Sequence, residues 1–164
     1  FIRALGLIKW AAAGALLIAV GASSLLPASA SKIAPALALL GTAMYGWVVV
    51  RMLHAWLALF GKALRQMHGA ASSLTAAALG LLGLLVLGVA HGAGWLPARP
   101  AVTGFVIAFL LPLVSGAAAH LLPVWLRPGP QGPWHQVLRA KLCRWGGLRA
   151  LSLLLLGLAI AALS

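Results

Sequence analysis

Apolar residues fall in long blocks with few interruptions, Arg51 and His54 in the second among them, not in alternating or narrow-striped patterns. Five blocks stand out, at residues 4–26, 33–60, 74–96, 101–126 and 145–163. A hydrocarbon core of about 30 Å is crossed by roughly 20 apolar helical residues. The expected fold is therefore all-α: a polytopic transmembrane helical bundle of about five spans, forming one domain over 1–164. The fifth block reaches spanning length only by drawing in residues from Leu142 onward, which makes a four-span version the rival. The breaks carry turn-forming residues. They are Pro27-Ala-Ser-Ala-Ser31, a polar connection over 61–73, Pro97-Ala-Arg-Pro100, and Arg127-Pro-Gly-Pro-Gln-Gly-Pro133. The last opens a basic Pro/Gly-rich loop over 127–144, and Trp134 to Arg149 reads as a helix along the membrane surface. Pro112, inside the fourth block, predicts a kink. Ala28-Ser-Ala30 resembles a signal-peptide cleavage site. The block before it exceeds the usual apolar region of about 7–15 residues, so a retained helix is expected.

Composition sharpens this picture. Apolar residues make up 63% of the chain and charged residues 7%, with 12 Lys and Arg, no Asp or Glu, and a net charge of +12. Without a carboxylate the chain has no acidic general base, no partner to orient a triad histidine, and no oxygen cage for calcium or magnesium. A carboxylate proton relay is excluded on the same ground. The chain begins with Phe1, so the acid count applies to these 164 residues. The lone Cys143 reads as a small filler near a helix start.

The cations also set an orientation, because cytoplasmic loops carry excess Lys and Arg. With the N-terminus cytoplasmic, Arg3, Lys9, Lys62, Arg65, Arg127, Arg139, Lys141, Arg144 and Arg149 lie inside, while Lys32 and Arg99 lie outside. A bacterial inner membrane is the expected location. Trp10, Trp56, Trp95, Trp125, Trp134 and Trp145 fall near the expected boundaries, as an aromatic belt requires. Arg51 is the one cation at depth.

Two constellations are candidates for function. His54 and His120 close the second and fourth blocks at one expected depth, where two imidazoles can ligate a b-type haem. Arg51 would neutralise a propionate, and Met44, Tyr45, Trp47 and Met52 would line the pocket. The plainer account is structural: an interfacial His reaches water and headgroups, Arg51 snorkels to lipid phosphate, and Trp47 offers it a cation–π contact. On the third block, Gly88 and Gly92 form a small-xxx-small pair for close helix packing, extended off register by Gly80 and Gly83.

The first functional expectation is a non-catalytic accessory subunit of a larger membrane complex, energy-transducing in kind (respiratory or photosynthetic). Lys62, Arg65, Arg127, Arg139, Lys141, Arg144 and Arg149 would face anionic lipids or acidic surfaces of other subunits. Nucleic acid is not expected as a partner, because the basic stretch lies between two spans. The alternative is a small bis-His haem b cytochrome passing electrons between quinone and a partner.

Overall fold

The computed structural model describes residues 2–22, 33–65, 69–96 and 102–163, and every regular element among them is helical. The elements are α1 (Ile2–Ala22), α2 (Ala34–Arg65), α3 (Gly69–Gly92), α4 (Val102–Leu126), α5 (Pro133–Cys143) and α6 (Gly146–Leu163). Helices α2, α3 and α4, and the stretch Pro133–Leu163, are long and apolar enough to cross a membrane, with Gly6–Ala22 as a shorter apolar helix. The all-α bundle with four to five spans is thus the fold. The expected turns at Pro27–Ser31 and Pro97–Pro100 lie outside the described residues.

The polar connection expected over 61–73 is mostly helix. α2 continues to Arg65 and α3 starts at Gly69. Ala63, Leu64, Ala70 and Ala71 are good helix formers, and a hydroxyl just beyond the stretch bonds back to the helix. Thr75 Oγ1 donates to the Ala71 carbonyl at 2.9 Å, and Ser73 is fully buried. The third block also stops earlier than its hydropathy suggests. Trp95 N–H donates to the Ala90 carbonyl and Gly94 N–H to the His91 carbonyl, with Gly94 at φ +76°. This is the Schellman termination, which needs a left-handed residue just past the last turn.

The chain divides into two compact units, residues 1–54 with 85–98 and residues 55–84 with 99–164. In the first unit α1 and α2 pack antiparallel through glycine. A Cβ added at Gly14 would lie 2.9 Å from the Gly41 carbonyl oxygen, and one at Gly21 would lie 2.5 Å from the Ala38 nitrogen. Backbones this close exchange many van der Waals contacts, which stand in for the hydrophobic effect inside lipid.

The second unit centres on Ala108, which has no exposed surface. It sits in a π-helical segment, Val106–Leu110, where Leu111 N–H reaches back five residues to the Val106 carbonyl. Pro112 explains the segment. It lacks an N–H, and its ring would press on the carbonyl four residues earlier, that of Ala108. Widening the helix by one residue accommodates the ring, so the expected kink takes the form of a π-turn. A Cβ at Gly80 of α3 would run into that Ala108 carbonyl, and one at Gly157 of α6 would lie 2.6 Å from Ala108 Cβ. Gly104 meets Ala161 of α6 in the same way, at 2.6 Å. Small residues on three helices thus surround one widened turn.

Candidate functional site: the basic end of the second unit

Four helical ends converge in the second unit. Gly69, opening α3, lies where a Cβ would touch Cys143 of α5, and a Cβ at Gly146, opening α6, would strike Gly69. In the second half of α4, Gly116 faces Ser73 and Ala70 of α3, and Ser115 Oγ lies 3.4 Å from Ser73 Oγ and 3.1 Å from the Pro112 carbonyl. α2 is tied to α3 by Trp56 Nε1, which donates to Thr75 Oγ1 at 3.1 Å. The start of α3, the end of α4, all of α5 and the start of α6 therefore share one end. The close approach at this end requires Gly69 and Gly146, and it buries Cys143 as filler.

That end carries the cations. Lys62, Arg127, Lys141, Arg144 and Arg149 are exposed. Tryptophans edge the cluster: the Arg127 guanidinium stands 5.6 Å from the Trp134 ring and the Arg144 guanidinium 5.8 Å from Trp145. Arg51 does not stack on Trp47 in this way among the described residues. Arg139 is half-buried. Its Nη1 and Nη2 both donate to Gln131 Oε1 at 3.3 Å, and Nη2 also reaches the His120 carbonyl at 3.5 Å. Its Nε is buried without a hydrogen-bond partner. Arg139 thus holds the loop against the end of α4. The Arg65 side chain lies outside the described set. Because the sequence contains no Asp or Glu, no side chain of this chain neutralises any of these cations.

A histidine that the sequence did not single out organises the loop. His135 is 4% exposed. The Gly132 N–H donates to its Nδ1 at 3.1 Å, and its Nε2 lies 2.9 Å from the Arg127 carbonyl oxygen. An Nδ1 that accepts is unprotonated, so the neutral ring carries its proton on Nε2 and donates to Arg127. One imidazole therefore caps the start of α5 and closes the Pro/Gly-rich turn, with the Trp134 ring edge-on to it at 5.2 Å. His135→Ala should cost about 2 kcal/mol, because it strands a donor and an acceptor that are partly shielded from water. A denaturant melt of the purified protein checks this. Retention of full stability would show that the turn closes without the ring.

The other candidate residues fall as follows. His54 belongs to the first unit and His120 to the second; both are exposed on their helices, as is Arg51. Tyr45 packs on Gly14, whereas Met44 and Trp47 line a surface groove with Trp10 and Ala43. Among the described residues no three His, Cys, Asp or Glu side chains gather as a metal site. A Cβ at Gly88 or Gly92 meets nothing within 4 Å, and the close approaches on α3 occur at Gly69, Gly80 and Gly83. Compared with family models, curated proteins and solved structures, the chain matches none of them.

Proposed function

We propose that this chain is a non-catalytic subunit of a larger membrane assembly and docks through the basic end of its second unit on acidic surfaces of partner subunits. The observation that carries it is a net charge of +12 with no internal carboxylate, together with five exposed cations at one helical end. Unpaired like charges repel one another. An anionic surface relieves the repulsion and steers docking. Indole rings beside Arg127 and Arg144 fit a membrane boundary, where Trp is enriched. The same excess of cations favours placing this end on the cytoplasmic side, with the N-terminus also inside.

The test extracts the tagged chain from its own membrane in mild detergent and follows its elution before and after high salt. Co-elution with discrete partners at low salt and their release at high salt are expected, since exposed charge contacts are screened. A chain that elutes alone at both salt levels overturns the proposal. Elution alone with a Soret band that His54→Ala and His120→Ala abolish would establish the cytochrome instead.

A further inference from the structure

The first unit holds a groove of about 380 Å³ lined by Trp10, Ala43, Met44 and Trp47. Its walls are indole, thioether and methyl groups. Trp10 and Trp47 are 53% and 51% exposed, so the groove is open at the molecular surface. What lies at its end gives it direction. α1 and α2 are antiparallel, with Gly21 opposite Ala34 and Ala38, and Gly14 opposite Gly41 and Tyr45. Continuing that register brings Trp10 level with Trp47. Lys9 precedes Trp10 by one residue. Arg51 follows Trp47 by four, one helical turn along the same face. Both cations therefore lie at or beyond the Trp pair, toward the start of α1, and both are exposed.

Depth agrees with this polarity. Arg51 lies 17 residues beyond Ala34, or about 26 Å along the helix axis. If Ala34 is near one face of a core about 30 Å thick, the Arg51 guanidinium reaches the phosphate layer of the other. By the same register Lys9 lies beside this end of the groove on the neighbouring helix. A groove walled by apolar groups and ending in two cations, in a chain with no carboxylate to occupy them, matches one kind of molecule. That molecule has an apolar chain and an anionic head.

We infer that the groove between α1 and α2 is a binding site for an anionic phospholipid, whose acyl chain lies between Trp10 and Trp47 and whose headgroup phosphate is held by Arg51 and Lys9. The site is independent of the docking end of the second unit, and neither proposal needs the other.

The test titrates the purified protein in a neutral detergent with phosphatidylglycerol bearing dibrominated acyl chains, which quench indoles on contact. Phosphatidylcholine with the same chains is the zwitterionic probe. The signal is the part of the quench that disappears in the Trp10→Phe/Trp47→Phe double variant. This removes contributions from the tryptophans of the basic end. That component should saturate at about thirtyfold lower phosphatidylglycerol than phosphatidylcholine, as two cations near an anionic head imply. Lys9→Gln/Arg51→Gln should abolish the difference, weakening phosphatidylglycerol binding far more than that of phosphatidylcholine, whose choline cation already offsets its phosphate. Both residues are exposed, and an unchanged helical circular dichroism spectrum confirms that the variant is folded. Coincident curves for the two lipids in the wild-type protein would overturn the inference. So would a double cation variant that keeps the difference, or full displacement of the bound lipid by inorganic phosphate.

Discussion

Replacing Gly80 by Ala should sharply lower the melting temperature of the purified protein, whereas the same change at Gly88 or Gly92, on the same helix, should leave it unchanged or raise it slightly. The single added methyl group meets different surroundings. At Gly80 it is driven into the Ala108 carbonyl. That carbonyl belongs to a π-turn whose position Pro112 dictates, and Ala108 is backed on its far side by Gly157. Neither neighbour is the loose end of a side chain, so relief requires α3 and α4 to separate. Overpacking of this kind costs about 1–3 kcal/mol, and backbone against backbone belongs at the upper end. At Gly88 and Gly92 nothing lies within 4 Å. There Ala gains up to about 1 kcal/mol of helix propensity. Equal effects at all three positions would mean that α3 does not pack as described.

Neutralising Arg127, Lys141 and Arg144 together should weaken assembly with the partner without unfolding the chain. All three are exposed, and surface changes away from buried features usually stay within about 0.5 kcal/mol of neutral. Their value lies across the interface. Exposed pairs contribute up to about 1 kcal/mol each, so three glutamines should cost about 2 kcal/mol, or roughly thirtyfold in affinity. Lys62, Arg65, Arg139 and Arg149 remain in place, which preserves the charge bias that orients the helices. Salt should weaken the wild-type complex more than the variant complex, because the variant has fewer screened contacts to lose. The readout is the salt concentration that releases half of the partner. An unchanged midpoint would mean that these cations face something other than the docking surface.

What could be read from the sequence follows from how each feature is encoded. The spans were legible because burial in lipid demands a continuous apolar run, and such runs dominate this chain. Their ends were less so. Hydropathy assigned 61–73 to a connection, but polarity does not stop a helix whose residues favour it. At Gly92 the helix ends for a reason hydropathy does not measure, the left-handed Gly94 just beyond it. Pro112 announced a distortion, but a hydropathy pattern does not tell a kink from the π-turn that forms at Val106–Leu110. The glycine pattern was visible, but which glycines carry contacts was not. Gly88 and Gly92 fit a spacing rule, whereas Gly80 and Gly157 are recognisable only through Ala108, which lies on another helix. His135 was hidden for a related reason, because its partners Arg127 and Gly132 are backbone groups that leave no side-chain signature. The basic end was legible as charge. Its gathering at one end depended on Gly69 and Gly146 letting α3 meet the α5–α6 junction.

The cations at the basic end of the second unit find their counterions on another protein. The direct measurement places a photo-crosslinking amino acid at position 127 or 144, irradiates intact membranes, and sequences the attached peptides. One discrete partner, joined through a segment rich in Asp and Glu, is expected at both positions. Adducts to lipid alone, or to this chain alone, would contradict it.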